Sequence, residues 1–176
     1  MNKIVRRAIE FGFSHAGTLD AATLEVRQEV RDMCRADKCG RYGKNWMCPP
    51  KCATLKEQAV IVSCYKSGII VQTTGNLEDD FDYETMLEAE NQQKKLFAAF
   101  RDKLVLEYPG LLALGNGACT VCDICTCPDA PCRFPDMAVS SMEAYGLIVS
   151  DAAEKNGLKY YYGPRTITYT GCFLLF

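Results

Sequence analysis

Eleven cysteines in 176 residues limit what this chain can be more than any other feature. Nine of them fall in two short stretches. Cys34, Cys39, Cys48 and Cys52 lie in "CRADKCGRYGKNWMCPPKC", and Cys119, Cys122, Cys125, Cys127 and Cys132 lie in "GACTVCDICTCPDAPCRFP". A disulfide framework explains them poorly. An odd number of thiols cannot all pair within one chain, and disulfide-dense chains are usually small secreted domains with too little core. Here 48% of the residues are hydrophobic, enough for an ordinary core in a chain of one-domain length.

The start of the chain, "MNKIVRRAIEFGF", has charges but no apolar run after them, so it does not read as a secretory signal. Runs such as "GIIV" and "LLAL" are far too short to span a bilayer. The expected compartment is the reducing cytoplasm, where cysteines persist as thiols or metal ligands. The net charge is −2 with both signs interspersed. That pattern gives no electrostatic footprint for nucleic acid or an anionic membrane, and neither is expected as a partner.

The regular elements fill the spaces around the two stretches. "SHAGTL" reads as a strand, and Asp20 is placed to cap a helix in which Val26, Val30 and Met33 recur at i, i+4, i+7. That helix delivers Cys34 to the first loop, where Gly40, Gly43 and Pro49–Pro50 break regular structure. "ATLKEQAVIVSCY" is weakly helical, and Cys64 within it reads as core. "SGIIVQTTG" is a buried strand. The longest helix is expected over residues 83–107, with Met86, Ala89, Phe97, Phe100 and Leu104 on one face and "ENQQKK" toward solvent. "LLALGNG" is a strand leading straight into the second cysteine stretch. Ser140 and Glu143 have capping-box spacing for a short helix ending at Gly146, and Asp151 and Glu154 mark another ending at Gly157. "KYYYGP" reads as strand plus turn. In "RTITYTGCFLLF" polar and apolar residues alternate at period 2, the mark of a strand. The chain has no repeat and no linker. The expectation is one α/β or α+β domain over residues 1–176: a small mixed sheet, flanking helices and two cysteine-rich metal-binding loops.

The thiol spacing narrows the metal. Cys119, Cys122 and Cys125 form C-x2-C-x2-C, a tight turn able to aim three thiolates at three corners of an iron–sulfur cubane, the fourth ligand coming from further along. Cys127 follows Cys125 too closely to reach the same cluster, so Cys132 is the better fourth ligand. Zinc is the alternative metal, but four-cysteine zinc sites usually come from two well-separated C-x2-4-C knuckles. The single histidine, His15, is remote in sequence from every cysteine and reads as structural. In the first loop C-x4-C-x8-C-x3-C places Cys34, Cys39, Cys48 and Cys52 as ligands, with Cys172 able to replace Cys52. The expected cofactor is one or two 4Fe-4S clusters.

Three segments, "CGRYGKNWMCPP", "PCRFPDMAVSSMEAYGLIV" and "YYYGPRTITYTGC", resemble an uncharacterised family of predicted metal-binding proteins, cysteine-rich and of iron–sulfur type, common in anaerobic bacteria and archaea. The resemblance runs from about Asp32 to Cys172. Its pattern includes positions matching Cys34, Cys39, Cys48, Cys119, Cys122, Cys125 and Cys132, with Cys172 in a matching segment and Cys52 and Cys127 outside it. The resemblance implies metal binding and supplies no reaction.

Two kinds of function follow. One is a redox protein whose fully thiolate-ligated clusters pass electrons to a partner protein or small molecule. The other is an enzyme in which a cluster iron without a cysteine ligand binds a small molecule, as at other open metal sites. Tyr42, Trp46, Glu143 and Tyr145 are its candidate pocket residues. A zinc-stabilised interaction module ranks third. No nucleotide-binding loop, dinucleotide fingerprint or Ser–His–Asp signature is present.

Overall fold

The computed structural model describes residues 1–176. The last strand in chain order, β5 (Thr166–Leu175), sits in the middle of the sheet. It pairs antiparallel on one side with β2 (Ser67–Asn76), which pairs antiparallel with β1 (His15–Asp20). On the other side it pairs antiparallel with β3 (Leu112–Gly115), beside which runs the two-residue β4 (Ser140–Ser141) in parallel. The order β1-β2-β5-β3-β4 is a mixed sheet.

Because side chains alternate across a strand, β2 and β5 feed two cores. Ile69, Val71, Phe173 and Leu175 point to one face, where α1 (Asn2–Phe11) and α4 (Tyr83–Glu107) lie. Ile70, Cys172 and Leu174 point to the other. That side is closed by α3 (Leu55–Ser63), α5 (Val149–Lys155) and the residues around the 3-10 turn Glu143–Tyr145. The remaining helix, α2 (Gln28–Arg35), packs against that same turn. Helices on both faces of a largely antiparallel sheet make the domain α+β. Phe97 and Phe100 of α4 stack on and meet edgewise the ring of Phe173. Each such buried ring stabilises the fold by roughly 1.5–3 kcal/mol. Phe97 approaches β5 so closely that a Cβ on Gly171 would lie 2.6 Å from its ring.

Several expectations are corrected in detail. Asp20 caps a 3-10 turn, Ala21–Thr23, through a 3.0 Å bond from the Ala22 N–H, and α2 begins only at Gln28. Met33 is 63% exposed; α2 is short and presents mainly Val30 to the interior. Gln93, assigned to a solvent face, is fully buried, because its carboxamide accepts the Thr73 hydroxyl at 2.6 Å from the sheet below. Ser141, not Ser140, accepts from the Ala144 N–H at the 3-10 turn; Ser140 is on β4. "KYYYGP" forms no strand. Cys64 is an exposed residue at the end of α3, its thiol bonded to the Val60 carbonyl one turn back. α1, unread in the sequence, covers one edge of the α4 face.

Candidate metal centre

Two irregular connections carry eight of the eleven thiols: residues 36–54 between α2 and α3, and residues 116–139 between β3 and β4. Both exceed the roughly 12–15 residues beyond which unstructured loops become uncommon and usually functional. All eleven cysteines are free thiols.

The first loop starts two residues after Cys34, which lies in the last turn of α2. Asp37, with φ 49°, turns the chain and accepts the Tyr42 N–H at 2.8 Å. The Gly43 N–H bonds to Pro49 carbonyl at 2.8 Å, and the Cys48 N–H to Asn45 carbonyl at 3.1 Å. Thr54 and Glu57 then form a capping box that starts α3. These turns fold the loop back on itself. Cys48 is left buried, with Cys39, Cys52, Cys34 and Cys119 of the other loop near enough to act on its charge. Burial first, then those neighbouring thiols, pushes Cys48 up to about 12. Burial, then the Glu143 carboxylate, also raises the Cys34 thiol.

In the second loop, Cys119, Cys122, Cys125 and Cys132 border one small cavity closed by Trp46, Met47 and Phe134. Cys127 stands apart from it. It is 7% exposed, and its thiol donates to the Gly43 carbonyl of the first loop at 3.5 Å. Arg133 donates to the Ile124 carbonyl at 3.0 Å and Thr126 to that of Pro131 at 2.8 Å, pinning the turn. Arg101 of α4 is buried and holds the Met137 carbonyl near the loop's end.

The two loops are tied into one face. Asn45, 3% exposed, donates to the Cys119 carbonyl at 3.0 Å while its own carbonyl accepts the Met47 N–H. The Trp46 indole N–H donates to the Ala130 carbonyl at 3.0 Å, and the Ser140 hydroxyl to that of Met47 at 3.2 Å. Between the loops opens a cleft of about 690 Å³, bordered by Cys52 of the first loop and Cys132 of the second.

No three His, Cys, Asp or Glu side chains converge as closely as one bound ion requires. The two loops are chemically uniform in the side chains they offer: cysteine thiols and no histidine. Such soft donors suit zinc, copper(I) or an iron–sulfur cluster rather than oxygen-loving cations. Cys172 is not among them. It is fully buried in the apolar cluster with Ile70, Leu114 and Leu174, and burial alone pushes its thiol up to about 12. His15 stacks on Tyr162 with ring centres 3.9 Å apart.

Residues 17–175 match the family model DUF2284, described as a predicted metal-binding protein. The chain belongs to the DUF2284 family. The match runs from β1 to the last residue of β5, takes in both cysteine loops and leaves out α1. No curated protein and no solved structure matches this DUF2284 chain. No helix in it is long and apolar enough to cross a membrane.

Sequence reasoning placed the thiols in this DUF2284 fold but missed the residue that joins them to the core, Arg31. Its guanidinium donates to the Cys52 sulfur at 3.4 Å and to the carbonyls of Ala53 and Ala144 at 3.0 Å each. It also donates to the side chain of Gln58, a fully buried residue of α3. The available signal was helical spacing: Arg31 precedes Cys34 by three positions and so shares its face. Of the four pocket candidates, Trp46 and Tyr145 line the cleft. Glu143 lies beside Cys34, with one carboxylate oxygen buried and without a partner. Tyr42 supports the first loop through its backbone. Asn45 had no signal in the sequence; its role exists only once the loops meet.

Proposed function

We propose that this DUF2284 protein binds iron–sulfur clusters through its two cysteine loops and works in electron transfer. Cys119, Cys122, Cys125 and Cys132 would hold one 4Fe-4S cluster, and Cys34, Cys39, Cys48 and Cys52 a second. The observation that carries the reading is in the second loop. There four thiols at C-x2-C-x2-C and Cys132 border one cavity, while the ill-spaced Cys127 bonds elsewhere. A bound cluster supplies a one-electron centre. The surrounding residues Trp46, Met47 and Phe134 limit its exposure to water, which is one way a protein tunes such a site. A redox partner protein or a small molecule in a reducing cytoplasm fits unpaired thiols. Anaerobic purification followed by iron, sulfide and zinc analysis tests the proposal. About four to eight irons per chain with matching sulfide are expected for one or two cubanes. Stoichiometric zinc without inorganic sulfide overturns it in favour of a zinc-stabilised module.

One observation favours an open-site enzyme as the second reading. Cys52 borders the cleft and already accepts from Arg31 and faces Gln58, so its sulfur has protein partners other than a metal. If Cys52→Ala leaves iron content unchanged, and cyanide or a small thiol perturbs the EPR spectrum of the unmodified protein, the first site has an open position and the enzyme reading replaces electron transfer.

A further inference from the structure

The cleft between the loops has a composition that the cysteines do not explain. Its volume of about 690 Å³ lies within the 300–1,000 Å³ typical of small-molecule sites. Trp46 and Tyr145 supply aromatic surface, and Pro128 and Pro131 supply flat apolar surface. Polar groups are few: the exposed Lys51, Asp129, the buried Gln58 that already bonds Arg31, and the hydroxyls of Ser140 and Tyr145. Tyr145 lines the cleft with a ring that is mostly buried, 9% exposed as a residue. Its hydroxyl oxygen is not among the fully buried polar atoms without a partner, so it stays accessible from the cleft that the residue lines. Cys52 and Cys132, one from each loop, border the same space.

We propose that this cleft binds a flat, conjugated ring system bearing carbonyl oxygens, of the flavin or quinone type. Aromatic and proline walls favour a planar ring over a flexible chain, since a ring stacks on them without losing rotamer freedom. The Tyr145 hydroxyl and the Lys51 ammonium are donors, which match ring carbonyls. Compounds of this class carry electrons one at a time, and the cleft touches a proposed ligand of each cluster. The choice of class rests on that iron–sulfur reading; the existence of a ligand site rests on the cleft and its aromatic and proline lining.

Trp46 is the only tryptophan in the chain, so binding is read directly from its fluorescence, with equilibrium dialysis as a second measure. The anaerobically purified protein is titrated separately with riboflavin 5′-phosphate and with a water-soluble naphthoquinone. Saturable quenching by either compound, matched by dialysis, is expected, and the compound that binds more tightly identifies the source. Tyr145→Phe keeps the ring and removes the donor; it should weaken binding about three- to tenfold, the usual value of one neutral hydrogen bond. Ala53→Phe at an exposed wall position should fill the cleft and abolish binding. Both variants should keep the iron or zinc content of the parent, which separates loss of ligand from loss of metal. No saturable binding of either compound overturns the proposal, as does binding that survives both substitutions. If analysis finds zinc while the ring compounds still bind, the site stands and only the iron–sulfur reading falls.

Discussion

Arg31 makes no ion pair with a carboxylate, although it is half-buried. Its charge is answered by two carbonyls, the Gln58 amide and the Cys52 sulfur. Such a cation suits a neighbour that becomes anionic, as ligated thiolates do. Arg31→Met should therefore destabilise the fold by about 2–4 kcal/mol through the orphaned partners, measurable by urea denaturation. It should also lower the reduction potential of the anaerobic protein, whereas Arg31→Lys should preserve more of it. A potential unchanged in Arg31→Met would limit the residue to scaffolding. The thiols themselves separate by role. Cys122→Ser should remove one cluster's worth of iron. Cys127→Ser should leave iron nearly unchanged and cost only its contact with Gly43; equal iron loss in both would mean that Cys127 is a ligand. Cys172 offers a test of a buried, unligated thiol. Its ordinary value of 9.0 is pushed up to about 12 in the fold. Between those values the unfolded chain has lost the proton and the folded one keeps it. Stability is then fully present below about pH 9 and falls by about 1.4 kcal/mol per pH unit as pH rises toward 12. Cys172→Ala should flatten the alkaline slope by that amount and leave metal content alone. A metal-deficient Cys172→Ala protein would contradict its placement in the core.

At the level of elements, periodicity served well where one face is dry and the other wet. Residues 83–107 were readable as a helix because Ala89, Phe97, Phe100 and Leu104 recur at helical spacing, and β2 as a strand because its apolar run is bounded by glycines. The cysteines, glycines and prolines likewise marked both irregular loops. What could not be read depends on contacts between distant segments. Gln93 looks like a surface residue until Thr73 is placed opposite it, and the two-residue β4 exists only because β3 runs beside it. Gly171 carries the same lesson. In the sequence it interrupts a strand; in the fold it is where the Phe97 ring of α4 packs against β5. Gly171→Ala should cost about 1–3 kcal/mol by overpacking, since the added carbon meets Phe97 at 2.6 Å and the Leu114 carbonyl at 3.0 Å. A thermal midpoint equal to the parent's would show that Phe97 can move aside.

Across the whole molecule, the two loops behave as one unit because Asn45 and Trp46 reach from one to the other. Asn45→Ala removes a buried bond to the backbone at Cys119 without touching a thiol. It should raise the rate of cysteine alkylation in both loops of the metal-free protein and speed metal release from both. A change confined to the first loop would show that the sites are independent. The position of β5 adds a constraint of time. Its partners β2 and β3 cannot join into one sheet until this last strand slides between them, and the β2–β5 pairs join residues about a hundred positions apart. Pairing that distant is slow to form. The second loop hangs from β3, and the first loop meets it only once β3 is in place. During synthesis the thiols of one loop are thus apart from those of the other, and the two sets come to share one face only after the chain through Leu175 has been made and has folded. Insertion of any metal group bound by both loops is consequently a late event, open to competition from oxidation or a wrong metal for as long as that strand remains unplaced.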